Sequence, residues 1–92
     1  MECVNDNGNG TYTAYFGYYN RNDCWVHIPI GADNKFTPDP QDRGQTQFFE
    51  PGRVINNFSV VFDGSNLVWY LKSPNGEAAT STASDNPDQR CD

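Results

Sequence analysis

Along this chain, clusters of Asn, Asp, Gly and Pro separate short stretches in which apolar and polar residues alternate with period two, the spacing of a half-buried β-strand. The clearest stretch covers residues 11–19 and follows Asn7-Gly8-Asn9-Gly10, residues that accept positive φ cheaply and suit a tight reversal. Within it Tyr12, Ala14, Phe16 and Tyr18 share one face, and Thr13, Tyr15, Gly17 and Tyr19 share the other. Aromatic residues on both faces predict a central strand with a core side and a second, partly covered side. Residues 4–6, just upstream, predict a short first strand leading into the turn.

The same alternation recurs downstream. Cys24, Val26, Ile28 and Ile30 point one way, and Asp23, Trp25, His27 and Pro29 the other. The aliphatic set predicts the core side. Trp25 and His27 then face outward, beside Tyr15 and Tyr19 if this strand pairs with the preceding one as a hairpin. Pro29 cannot donate to a ladder, so the strand ends, bulges or lies at an edge there. Lys35-Phe36-Thr37 is a short extended piece, halted by Pro38-Asp39-Pro40. Residues 45–50 predict a strand with Phe48 or Phe49 reaching the core, and Pro51-Gly52 then turns the chain. Phe58, Val60 and Phe62 share a face, as do Leu67, Trp69 and Leu71, with Val68 and Tyr70 opposite. With Asp63-Gly64-Ser65-Asn66 between them, these arms predict a β-hairpin. Ser73-Pro74-Asn75-Gly76 turns into a small, Thr-rich last strand over 77–83, and an acidic, polar tail covers 84–92. No helical period and no internal repeat is visible. The pattern predicts an all-β fold, an antiparallel two-sheet sandwich of about seven strands, with Trp69 in the core and Trp25 largely exposed.

Two segments carry a resemblance. Asp6-Asn7-Gly8-Asn9-Gly10-Thr11-Tyr12 resembles the D-x-G-x-G-T-Y start of a strand in filamin-type and related immunoglobulin-like repeats. Phe49-Glu50-Pro51-Gly52, ahead of the strand at 58–62, is similar to the proline-glycine element of immunoglobulin-like modules in bacterial surface proteins. The paired cysteines and core tryptophan of antibody domains are not reproduced. The resemblance implies an immunoglobulin-like sandwich used as a spacer, adhesive or assembly unit in a larger extracellular protein.

Composition narrows the picture. Ninety-two residues suit a single domain, 1–92, too small for two cores, and 14 % aromatic residues are enough to offset the entropy of ordering the chain. A net charge of −6 sets the domain against polyanions, so nucleic acid is not an expected partner. No apolar run approaches the length of a membrane span, and membrane insertion is not expected. Met1 directly before Glu2-Cys3-Val4 reads as an initiator on a fragment whose targeting information lies elsewhere.

Cys3, Cys24 and Cys91 form no CxxC, and His27 is the one histidine, so neither a zinc site nor another metal or cofactor is expected. A Cys3–Cys91 disulfide would tie the first strand to the last and, by closing nearly the whole chain, contribute about 4–5 kcal/mol. It would also place the domain in an oxidising compartment, secreted or at the cell surface. Cys24 is then the odd one out, either a small buried hydrophobe or a thiol for intermolecular pairing.

Catalytic chemistry has little to stand on. His27 has no sequence-apparent nucleophile or orienting acid, and Asp39, Asp42, Glu50, Asp63 and Glu77 sit in turns or flanks. Asn5-Asp6-Asn7-Gly8-Asn9-Gly10 has the alternating oxygens of a calcium loop, but Phe16 stands where the closing Glu belongs. Asn9-Gly10-Thr11 and Asn57-Phe58-Ser59 fit the glycosylation acceptor pattern. Tyr15, Tyr19, Trp25, His27 and Tyr70 make up a candidate contact face. Exposed aromatic patches usually mark protein contact, which predicts a non-enzymatic adhesive module touching neighbouring domains or copies of itself. Stacking of the same rings on sugar faces is the alternative, a carbohydrate-binding module.

Overall fold

A computed structural model describes residues 1–91; Asp92, the last residue of the expected acidic tail, lies outside the described residues. Among the described residues the chain is all-β, with no α-helix and a single short 3-10 turn at Pro87–Gln89. The strands are β1 (Cys3–Asp6), β2 (Tyr12–Asn20), β3 (Val26–His27), β4 (Asn34–Thr37), β5 (Phe48–Phe49), β6 (Gly52–Phe62), β7 (Leu67–Lys72) and β8 (Ala78–Ala83). They form a three-stranded sheet in the order β1-β2-β6, a second in the order β4-β7-β8, and a ribbon of β3 with β5. All these pairings are antiparallel and no sheet closes into a barrel, an arrangement consistent with a β-sandwich.

The Asn-Gly turn joins β1 to β2, with Cys3 opposite Tyr15 and Asp6 opposite Tyr12. Asp6 Oδ1 accepts from the Gly8 N–H at 2.9 Å, and Asn9 Oδ1 accepts from the Thr11 N–H and hydroxyl, so side chains replace the missing ladder bonds of the turn. The central position expected for β2 is observed, between β1 and β6. Its ladder to β6 slips between Phe16 and Tyr18, where β6 carries Ile55, Asn56 and Asn57 against Gly17. Gly17 is required there: a Cβ would collide with the Val54 carbonyl and with the Glu2 carboxylate, which Arg53 holds at 2.8 Å.

The core lies between the two larger sheets. Val4, Phe16, Phe36, Leu67 and Trp69 are buried, with Phe62, Val60 and Phe49 nearly so. Trp69 is its centre: Phe16 and Phe58 meet it edge-on at 5.6 and 4.8 Å between centroids, while Phe36 and Phe49 stack near it at 6.0 and 6.2 Å. Its Nε1 donates to Asn34 Oδ1 at 2.9 Å, and Asn34 Nδ2 donates to the Ile28 and Thr46 carbonyls at 2.9 and 3.0 Å. One fully buried amide thus pins the segments flanking the ribbon onto the second sheet.

One expected hairpin is corrected. The arms at 58–62 and 67–71 do not pair: β6 pairs with β2, and β7 pairs with β4 and β8. Their apolar faces meet across the core instead, Phe58 against Trp69, and the Asp63–Asn66 connection crosses from one sheet to the other. Alternation identifies the buried face of each strand but is blind to which sheet holds it. The crossing is held from outside, the Asp85 N–H donating to the Gly64 carbonyl at 3.0 Å.

The pairing of residues 11–19 with 24–30, which the alternation left open, is also absent, because β3 is cut to Val26–His27 and pairs with β5, Val26 opposite Phe49. Asn20 turns the chain away from β2: its Nδ2 donates to the Cys24 and Phe49 carbonyls at 3.1 and 2.9 Å. Of the predicted aliphatic face, Ile28 is buried, Val26 and Ile30 are half-buried and Cys24 is exposed. The strand expected over 45–50 shortens to Phe48–Phe49, with Phe49 in the core and Phe48 outside. The disulfide between Cys3 and Cys91 is present, with 4.8 Å between Cα atoms.

Candidate functional site

The five residues of the expected contact face do not form one patch. Tyr15 and Tyr19 lie on β2, Tyr15 half-buried opposite Ser59 and Tyr19 63 % exposed opposite Arg53. Trp25, 64 % exposed, stands in the loop between β2 and β3. His27 belongs to the ribbon, its ring stacked on Phe48 at 4.5 Å between centroids. Tyr70 lies on β7 in the other sheet, with Lys35 Nζ 5.5 Å from its ring centroid. Tyr70 is separated from the rest because the expected hairpin, which would have brought Leu67–Leu71 beside β6, is instead a crossing between layers.

The structure opens elsewhere, between the end of β2 and the β7–β8 hairpin. Most of β8 is too small to fill its share of the core. Ala79, Ser81 and Ala83 lie opposite Leu71, Trp69 and Leu67, so the side chains that share the inner face with Trp69 are two alanines and a serine. Where β8 passes Leu71, the layers are left apart by a cleft of about 470 Å³. Val26, Ile28, Phe49 and Trp69 form its apolar floor, Tyr18, Asn20 and Asn22 one wall, and Leu71, Ala79 and Ser81 the other. Arg21, Asn75 and Glu77 stand at the rim. A volume in the range of roughly 300–1,000 Å³, with an apolar floor and a few polar groups, is the usual form of a binding cleft.

The walls are held by hydrogen bonds. Asn20 is buried, and besides its bonds to Cys24 and Phe49 its Oδ1 accepts from the Asn22 N–H at 2.9 Å. Tyr18 packs edge-on against Phe49 at 4.8 Å, and its hydroxyl accepts from the Glu50 N–H at 2.9 Å. On the far side the Ser73 N–H donates to the Glu77 carbonyl at 2.8 Å and closes the β7–β8 turn. Among the described residues no group of three or more His, Cys, Asp and Glu side chains is placed to hold a metal ion.

No family model, curated protein or solved structure matches this chain. The cleft therefore has to be interpreted from its own chemistry. Sequence reasoning missed it, although a signal was present: β8 is the one predicted strand without a large apolar residue, and such a strand cannot fill the layer opposite it. Phe48 was also missed as a surface residue, since adjacent phenylalanines leave open which of the two faces inward.

Proposed function

We propose that this chain is an immunoglobulin-like, non-catalytic module of a secreted or cell-surface protein, and that it works by contact with protein neighbours. The observation that carries the reading is the open end of the sandwich, where a cleft with an apolar floor and partly polar walls adjoins an uncharged outer strand. An apolar floor of this kind favours an apolar occupant, and the exposed ring of Tyr19 borders the same cleft. The Cys3–Cys91 disulfide points to an oxidising, non-cytosolic setting. No helix among the described residues is long and apolar enough to cross a membrane. Its charge of −6 disfavours polyanionic partners.

A second reading is favoured by Trp25 and Tyr19, whose exposed rings suit stacking on a saccharide. Sedimentation of the single domain and of a two-copy tandem, run beside a glycan array, separates the two. Association with copies or neighbouring domains, with no saturable glycan binding, is the expected result. Saturable glycan binding that Trp25→Ala abolishes, with no association at any concentration, refutes the protein-contact reading.

A further inference from the structure

Unpaired sheet edges are templates for added strands, and proteins guard them with bulges, charges, prolines or covering segments. The outer strands of the two larger sheets are β1, β6, β4 and β8. β1 is covered by the tail: Val4 bridges Arg90 in parallel, and the Cys91 N–H donates to the Val4 carbonyl at 3.0 Å. β4 is covered by the loop after it, the Phe36 N–H donating to the Gln41 carbonyl at 3.0 Å. β6 is broken by its irregularity at Ile55–Asn57 and carries Arg53. β8 is covered only at its end, by Gln89, and has no such guard over Ala78–Thr80. Its sequence AATSTA holds no charge, proline or glycine, and it pairs with β7 over six consecutive residues without a shift.

The hydrogen-bond pattern identifies which groups of β8 face out. Ser73 donates to Glu77, and the Lys72 N–H turns away to the Asp33 carbonyl at 2.8 Å, so Glu77, Ala79 and Ser81 bond to β7. Ala78, Thr80 and Thr82 therefore present their N–H and C=O groups outward. Gln89 Nε2 takes the Thr82 carbonyl at 3.3 Å. The outward main-chain groups of Ala78 and Thr80 have no partner among the described residues, and they lie beside the cleft that Ala78, Ala79 and Ser81 help to line.

Resting on the protein-contact reading, we propose that the β8 edge at Ala78–Thr80 takes up an extended segment of a different polypeptide, pairing main chain to main chain and placing an apolar side chain in the cleft. Charge selects the partner. Glu77 precedes β8, Asp85 and Asp88 follow it, and the nearby cations are Arg21 across the cleft, Lys72 on β7 and Arg90 in the tail, whose guanidinium is engaged by Asp6 at 3.6 Å. A second copy added antiparallel would bring Glu77 toward the acidic tail of its neighbour, between two bodies of charge −6. The complementary occupant is a β-prone segment with Lys or Arg beyond its ends.

The test uses the peptide KKTVTVTVKK, the acid-flanked EETVTVTVEE, and the whole chain as wild type, Thr80→Pro and Ala79→Phe. Proline at the outward position removes an edge donor without taking a ladder bond from β7, and phenylalanine at 79 fills the cleft. The basic peptide is expected to bind wild type saturably and to slow amide exchange at Ala78 and Thr80. About tenfold weaker binding or worse is expected for the acidic peptide and for each variant. Should Thr80→Pro fail to fold, the exchange pattern of wild type and Ala79→Phe still decides. Equal binding by a folded Thr80→Pro, protection appearing on β6 instead, or a wild-type dimer that Thr80→Pro dissolves overturns the proposal. Absence of peptide binding, with association that Thr80→Pro leaves intact, rejects strand addition alone. Absence of any association, with saturable glycan binding, rejects the protein-contact reading as well.

Discussion

Asn34→Ala should be among the most damaging substitutions in this chain, although it removes a polar side chain. Asn34 is fully buried and engages three groups: Trp69 Nε1, the Ile28 carbonyl and the Thr46 carbonyl. Alanine leaves the first two without a partner in the interior, and the half-buried Thr46 can recover part of its bond from water. At about 1–3 kcal/mol for each orphaned buried group, the expected loss is about 3–5 kcal/mol. A domain of this length has a total stability of only about 5–14 kcal/mol. The melting temperature should fall by about 15–30 °C. Urea unfolding followed by tryptophan fluorescence gives the energy, and amide exchange should show β3 and β5 opening first. Pairing Asn34→Ala with Trp69→Phe in a double-mutant cycle should give a coupling of about 1 kcal/mol or more, since the two share a bond. Asn34→Asp keeps the acceptor for Trp69 but sets a carboxylate against two carbonyls. Its buried carboxyl should titrate above the ordinary value, so the variant should lose stability as pH rises through that range. A loss below about 1 kcal/mol for Asn34→Ala would refute the reasoning, because water would then be satisfying groups taken here as dry.

Three further outcomes are expected. Reducing the Cys3–Cys91 bond, which spans a separation of 88 residues, should cost about 4–5 kcal/mol and free the tail from β1; full alkylation of either thiol without reductant would contradict it. Trp69→Ala should cost roughly 3–5 kcal/mol in chemical unfolding, whereas Trp25→Ala should stay within about 0.5 kcal/mol, and equal losses would show the facing of these residues to be wrong. Hydrogen bonds from the Ser65 hydroxyl and N–H hold the Asp63 carboxyl below its ordinary pKa, so whatever they stabilise is present above that ordinary value and lost as pH falls through the lowered one. Ser65→Ala should raise the Asp63 pKa in an NMR titration, and an unmoved pKa would assign the shift elsewhere.

Period-two alternation was enough to show that the chain is all-β, that Phe16, Val60, Phe62, Leu67 and Trp69 face a core, and that Trp25 does not, because burial of one strand face is a local property. The Asn-Gly turn and the Ser73–Gly76 turn were also legible, since each encodes its own reversal and joins strands that do pair. The terminal cysteines announced their bond by position. Partner choice among strands was not legible. Residues 58–62 and 67–71 look like the arms of one hairpin, yet only the packing of Phe58 edge-on to Trp69 places them in opposing layers. Likewise, the dispersal of Tyr15, Tyr19, Trp25, His27 and Tyr70, and the cleft beside β8, depend on which strands lie across from one another. Small residues at 79 and 81 are plain in the sequence, but the space they leave exists only once Trp69, Phe49 and Ile28 have been brought beside them by contacts from distant parts of the chain.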